Sequence, residues 1–314
     1  MGTEKEPQEK IKRFKILVAI SVVAVLFFAP VICEVAYNFG YISKSPANEL
    51  LKVFGASATD DESEFVEFLS VGQADSAIIK SQNKCAIIDF GLKDESDLIY
   101  KRLKKLGIKK VDLAIATHND SDHLGGYLDL AENIKIDKLV INKFSKCDEN
   151  KDMYYKTIIT ADANNTELVL PNVLDSFEIG NAVLEILYVN PSAESSNNKS
   201  IVTMLTLNDK KVLFTGDLEV DEELKLQRLV PNLDCDILKL GHHGSKTSTS
   251  DEFLNKTTPR IAIASCGYDN NYKHPSKEVR QRLEKFGVKI YRTDLDQNIR
   301  CEIGKEKITV FKIS

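Results

Sequence analysis

Thr117-His118-Asn119-Asp120-Ser121-Asp122-His123-Leu124-Gly125-Gly126 is the stretch on which the fold and chemistry of this chain turn. It follows a mostly apolar run, residues 111–116, that reads as a buried strand. Two imidazoles and two carboxylates then fall within six residues, and a Gly-Gly pair closes the turn. Carboxylates crowded at a strand end repel one another unless a cation neutralises them. The simplest reading is a metal site at a strand end; the alternative is a polar loop that happens to hold two histidines. The remaining histidines favour the metal. All five, His118, His123, His242, His243 and His274, fall at expected strand ends or in loops marked by Gly or Pro, and Asp217 follows an expected strand too. That is the profile of a two-metal hydrolytic centre.

Outward from this stretch, period-2 runs dominate at first. Strands are expected at 64–71, 76–80 and 85–90, the last two split by Gln82-Asn83, a hairpin signal. A helical period follows at 95–106, then the strand 111–116, and a short helix at 124–132. Further on come a strand at 137–141, a helix at 152–164, and hairpins at 173–189 and 200–215. A helix at 220–229 and strands at 236–240 and 260–265 follow, then a helix at 277–286 and β-like runs at 288–292, 298–303 and 307–312. β-rich runs thus precede β/α units, and the pattern repeats in the second half. Two packed sheets with helices outside, an α/β (α+β) four-layer αββα sandwich, fit this order.

The chain has 314 residues and a net charge of −5, with 43% hydrophobic and 28% charged residues. That suits a buried core and does not advertise a nucleic-acid binder, so any basic footprint is local. Lys101, Arg102, Lys104, Lys105, Lys109 and Lys110 read as a solvated helix face. Six cysteines without a Cys-x-x-Cys pair suggest small buried hydrophobes, not a disulfide frame.

Before the globular part, 1–15 is a polar tail, basic on balance and expected in the cytoplasm. Ile16 to Cys33 then runs eighteen residues without a charge, the usual threshold for a membrane-spanning helix. A transmembrane anchor at 16–37 is expected, with the N-terminus cytoplasmic and the rest extracytoplasmic at the cell membrane. Residues 38–63 read as a linker, and 64–314 as the hydrolase domain.

Five ordered motifs carry a family resemblance. They are the opening stretch, Val71-Gly72-Gln73-Ala74-Asp75-Ser76, Phe214-Thr215-Gly216-Asp217-Leu218-Glu219, Leu238-Lys239-Leu240-Gly241-His242-His243-Gly244-Ser245 and Tyr272-Lys273-His274-Pro275. The set resembles the metallo-β-lactamase superfamily over essentially all of 64–314. That superfamily's first loop usually reads His-x-His-x-Asp-His. Here Asp120 takes the second His slot, a variant similar to the C-terminal domain of ComEC-type DNA-internalisation competence proteins.

The resemblance implies the αββα fold and a set of roles. His118 and Asp120 ligate one metal. Asp122, His123 and one histidine of the 242–243 pair hold the second, with His242 preferred and His243 the alternative. Asp217 bridges both ions, and Asp89 orients ligands from behind. No His lies between His123 and His242 to serve as the superfamily's third ligand on the first metal. Asn198 or Ser200 stands where an oxygen donor would replace it. Such a harder site suits Mn²⁺ or Mg²⁺ as well as Zn²⁺. Asp122 is the expected proton acceptor. His274 protonates a leaving group or binds a phosphate oxygen, and Ser245 contacts substrate. The implied function is a divalent-metal hydrolase, a phosphodiesterase or nuclease acting on DNA, whose partners are the membrane and a separate DNA-uptake channel. The alternatives are a non-catalytic DNA-binding or scaffold module of the same fold, and a hydrolase of another envelope ester.

Overall fold

The computed structural model describes residues 63–313, apart from 149. The expected tail and anchor, and nearly all of the linker, lie outside the described residues. Among the described residues no helix is long and apolar enough to cross a membrane.

In chain order the strands are β1 (Phe65–Phe68), β2 (Ala77–Ser81), β3 (Lys84–Ile88), β4 (Lys110–Val111), β5 (Leu113–Ile115), β6 (Lys135–Ile136), β7 (Lys138–Val140), β8 (Glu167–Val169), β9 (Ser176–Ile179), β10 (Ala182–Tyr188), β11 (Val202–Leu207), β12 (Lys210–Phe214), β13 (Ile237–Lys239), β14 (Ile261–Ala264), β15 (Lys289–Arg292), β16 (Asn298–Ile303) and β17 (Ile308–Ile313). One sheet has the order β17-β16-β1-β2-β3-β5-β7-β8 and a second the order β15-β14-β13-β12-β11-β10-β9. The helices are α1 (Ser96–Lys105), α2 (Ser121–Leu124), α3 (Tyr127–Asn133), α4 (Lys151–Ala163), α5 (Val220–Leu229), α6 (Asp251–Thr257), α7 (Lys277–Lys285) and α8 (Thr293–Asp296).

Side-chain alternation builds the layers. Along β3, Ala86 and Ile88 point to the second sheet, while Cys85 and Ile87 point to helices on the other side. The inner core joins Val66, Phe68, Ile79 and Ile115 of the first sheet to Leu184, Leu205, Phe214 and Ile263 of the second. An outer core packs Ile99 and Leu103 of α1 and Tyr127 and Leu130 of α3 on the first sheet. A third core packs Leu226 of α5, Phe253 of α6 and Val279 and Leu283 of α7 on the second. The layers therefore run helices, sheet, sheet, helices, and each period-2 strand serves two cores at once.

Several elements differ from the sequence reading, for local reasons. The expected strand 111–116 breaks at Asp112, whose carboxylate accepts from the Cys85 backbone N–H at 3.0 Å and from Lys84 Nζ at 2.7 Å. The expected helix 124–132 divides at Gly125-Gly126. A Cβ at Gly125 would lie 2.2 Å from the Ser121 carbonyl oxygen, and one at Gly126 would lie 2.1 Å from that of Phe90. Only glycine allows this approach of the loop to the end of β3. α6 lies where no element is expected; Ser250 caps it by accepting from the Phe253 N–H. The basic run is not wholly a solvated face. Arg102 is buried and pairs with Glu67, which also accepts from Arg300 Nε at 2.9 Å. A fully buried carboxylate demands such partners. Cys85, Cys235, Cys266 and Cys301 are buried free thiols, as expected, and Cys147 is half-buried.

Candidate metal centre

The parallel strands of both sheets end at one edge. β3, β5, β7 and β8 are mutually parallel, as are β12, β13, β14 and β15. Asp89 follows β3, the His118 loop follows β5, Asp217 follows β12, and His242-His243 follow β13. Loops at the carboxyl ends of parallel strands are where α/β sheets build ligand sites.

Asp122, His123, Asp217 and His243 each offer one ligand atom, all within 4.8 Å of one another. His123 Nε2 lies 3.3 Å from Asp217 Oδ1, and His243 Nε2 lies 3.2 Å from Asp122 Oδ2 and 3.5 Å from Asp217 Oδ2. His118 Nε2 lies 3.5 Å from Asp120 Oδ2, and its ring sits 4.1 Å from that of His123. His118 Nε2, Asp120 Oδ1, His123 Nε2 and Asp217 Oδ1 are buried and make no hydrogen bond. Each such atom costs about 1–3 kcal/mol unless something satisfies it. Two imidazole nitrogens and two carboxylates around one point fit a divalent cation in charge and in donor type. His118 and Asp120 pair beside this group without falling within it.

The 242–243 pair resolves geometrically. His243 is buried and meets Asp122 and Asp217. His242 Nε2 is 3.8 Å from Asp217, its Nδ1 is 3.7 Å from Glu219, and its side chain is 26% exposed. His242 is the first of the pair to leave the strand, which is why the sequence favours it. Both residues instead adopt left-handed backbone, at φ 49° and 55°, which turns the second ring inward. The spacing therefore favours His243 as ligand and sets His242 at the rim beside Glu219.

Partners behind the donors fix them. Asp89 accepts from the Thr117 N–H at 2.7 Å and lies 2.8 Å from His123 Nδ1, so it orients that ring. Ser200 Oγ accepts from the Asp217 N–H at 2.8 Å and lies 3.5 Å from His118 Nδ1; it positions rather than ligates. Asn198 Oδ1 accepts from the Glu219 N–H at 3.0 Å, which occupies the oxygen expected to face a metal. Ser245 Oγ pairs with Thr247 Oγ1 at 3.0 Å, away from the donors. His274 comes to the rim, its ring 5.7 Å from His242 and 6.4 Å from His243.

Asp75 and Lys239 form a layer that sequence reasoning left without a role. Lys239 Nζ lies 2.6 Å from Asp75 Oδ2, both side chains nearly buried, and Asp75 Oδ1 lies 3.5 Å from His243 Nδ1. His243 Nδ1 also lies 3.0 Å from the Ser265 carbonyl, which makes that nitrogen the donor. Asp75, Asp89 and His123 form another compact donor group. There the Lys239 ammonium already pairs with Asp75 Oδ2 and Thr117 donates to Asp89, while Asp75 Oδ1 makes no hydrogen bond. The signal for Lys239 was a lysine inside an otherwise apolar strand, a position that demands a counter-charge.

Charges follow from this packing. Burial opposes a charged His243, but Asp217 and Asp75 outweigh it and lift its pKa to about 10. Burial likewise opposes His123, and Asp217 and Asp89 hold it well above the ordinary histidine value. Burial would raise Asp217, yet His243 and His123 keep it well below the usual carboxylate range. Burial and the neighbouring rings push His274 down to about 4. Without metal, protonated imidazoles stand in for the cation.

A sheet sandwich with mixed imidazole and carboxylate donors at its strand ends is the architecture of a metal-dependent hydrolase. Residues 69–268 match the metallo-β-lactamase superfamily model, and the chain belongs to that superfamily. Among its relatives it is 30% identical over 283 residues to ComE operon protein 3 of Bacillus subtilis (strain 168), covering 84% of this chain and 36% of that one. It is 28% identical over 253 residues to competence protein ComA of Neisseria gonorrhoeae, covering 77% and 33%. Recombination protein 2 of Haemophilus influenzae is 25% identical over 258 residues, covering 78% and 29%. The resemblance to ComEC-type competence proteins therefore holds, and the chain spans about a third of the length of these relatives. A diiron β-hydroxylase, CmlA of Streptomyces venezuelae, shares the fold at a TM-score of 0.52 and 13% identity, over 81% of this chain and 59% of that one.

Proposed function

We propose that this chain is a metal-dependent phosphodiesterase that cleaves DNA outside the cell membrane. The observation that supports it most is the convergence of Asp122, His123, Asp217 and His243 on one point beside buried donor atoms without hydrogen bonds. Similarity to competence proteins points the substrate toward DNA. Asp122, His123, Asp217 and His243 would hold one ion, and His118 and Asp120, with Asp217, would hold a second. Zn²⁺ or Mn²⁺ suits the first set, and Mn²⁺ or Mg²⁺ the more oxygen-rich second. Such ions supply Lewis-acid polarisation of a phosphoryl oxygen and acidify water.

The chain's own groups do the rest. Asp122 has a partly exposed carboxylate at the mouth and accepts the proton of the attacking water. Asp89 keeps His123, and the Ser265 carbonyl keeps His243, in a fixed orientation, which lowers the reorganisation needed at reaction. His274 donates to a phosphate oxygen from the rim. The uncharged run 16–33 behind basic residues supports a single span with the domain outside. Similarity to competence proteins makes a DNA-uptake channel the proposed partner.

Single-stranded DNA and a bis-aryl phosphodiester, each incubated with Mn²⁺ and the full chain, test this reading. Cleavage of DNA that Asp217→Ala abolishes supports it. Cleavage of the small diester alone moves the substrate away from nucleic acid. A metal-loaded chain that cleaves neither is a non-catalytic module, a reading that the looser His118–Asp120 position favours.

A further inference from the structure

The loop between β14 and α7 carries two of the most exposed large side chains among the described residues, Tyr268 at 80% and Tyr272 at 70%. Single exposed apolar residues need no explanation. Tyr272 differs because its ring is not loose. It stacks on His274, with centroids 5.5 Å apart and planes at 25°. His274 stacks in turn over His243 at 6.4 Å and 18°. Three nearly parallel rings thus step from the donor cluster out to solvent.

The loop that presents them is pinned. Asn270 Nδ2 donates to the carbonyls of Gly267 at 2.9 Å and His274 at 2.7 Å, and its Oδ1 accepts from the His274 N–H at 2.9 Å. Gln73 Oε1 accepts from the Gly267 N–H at 3.1 Å, and the Ser276 N–H donates to the Gly244 carbonyl at 2.9 Å. A large π-face held in water by a fixed loop pays little ordering entropy when it takes a ligand. Its complement is another flat π system, attached to a group that reaches the cations two rings away. A nucleobase on a phosphodiester strand has that construction. The base must be unpaired, because a duplex covers both of its faces.

We propose that Tyr272 is the stacking platform for an unpaired nucleobase of the strand whose phosphate lies at the metal centre. This rests on the phosphodiester reading above and adds single-strandedness to it. Tyr272 carries no chemistry; it sets which strands dwell long enough to be cut.

The test is binding of the full chain to a short labelled thymidine oligomer with hydrolysis-resistant phosphorothioate links, read by fluorescence anisotropy. Tyr272→Ala weakens binding about 5- to 150-fold, the range of one base–aromatic stack. Tyr272→Phe keeps the wild-type affinity, since the ring and not the hydroxyl stacks. An oligomer of abasic sites binds the wild type weakly and no longer distinguishes it from Tyr272→Ala. The proposal is overturned if the wild type binds no oligomer, if Tyr272→Ala binds as tightly, if Tyr272→Phe loses as much, or if the abasic oligomer shows the full difference. Hydrolysis of bis(p-nitrophenyl) phosphate, measured alongside, separates the two readings. Tyr272-dependent binding without hydrolysis defeats the catalytic reading alone. Hydrolysis without a Tyr272 effect defeats the stacking platform alone.

Discussion

Lys239→Met removes a buried positive charge at nearly constant volume, and it is expected to destabilise the protein by about 3–5 kcal/mol. The magnitude follows from the packing. Nζ and Asp75 Oδ2 are 2.6 Å apart with both side chains about 5% exposed. Coulomb's law at an effective dielectric constant of about 20 gives roughly 6 kcal/mol of gross attraction at that distance. Desolvation of the pair takes back part, but in Lys239→Met the carboxylate of Asp75 stays buried and uncompensated. Burial alone would raise the Asp75 pKa, and Lys239 is the first of the charges that hold it down. Losing Lys239 therefore raises that pKa, so the destabilisation shrinks as pH falls toward 4, where protonation of Asp75 becomes cheap. Urea unfolding of wild type, Lys239→Met, Asp75→Asn and the double variant measures the coupling. The double variant should recover much of the loss of Lys239→Met. Refutation comes if Lys239→Met lies within about 1 kcal/mol of wild type at pH 7, or if the two single losses simply add.

Three further outcomes follow. His243→Ala should lower bound metal per chain by at least one ion, measured by plasma mass spectrometry, while His242→Ala keeps wild-type content; the reverse result would put His242 in the ligand set. Asp217→Ala should cut metal affinity by more than about 100-fold, the upper end of what losing an outer partner costs, read by competition with a chromophoric chelator. The metal-stripped protein should lose stability as pH rises from about 6.5 through about 10. His243 has a folded pKa of about 10 against about 6.5 unfolded; a raised pKa stabilises fully below the unfolded value and progressively less above it. A flat melting temperature across that window in the presence of EDTA would disprove the assignment.

The sandwich was legible because its long strands and helices carry clean periods. α1, α4, α5 and α7 lie within a residue or two of the positions that apolar spacing predicts. β6 and β8 were not legible, since β6 has only two residues and β8, at the edge of its sheet, carries Glu167 and no apolar alternation. The site was legible as a list and less so as a geometry. Histidines and aspartates at turn-marked strand ends announce ligands, but which of two consecutive histidines faces inward depends on backbone hand, and His242 and His243 are both left-handed. Asn198 and Ser200 occupy the expected region, yet their bonds to Glu219 and Asp217 are long-range and invisible in composition. Asp75 carries no assigned role until Lys239, far along the chain, is placed against it.

The pairing of β1 with β16 has a consequence for biosynthesis. Arg300 meets Glu67 across 233 residues of sequence, and β17 adds a further strand outside β16. A chain emerging from the ribosome exposes its His118–His123 loop long before Asp217 and His243 are made, and its first sheet keeps an unpaired β1 edge until β16 arrives. The order of synthesis therefore delays full metal capture until Asp217 and His243 have been made, and stray ions meet only a weak partial set of donors on the shorter nascent chain.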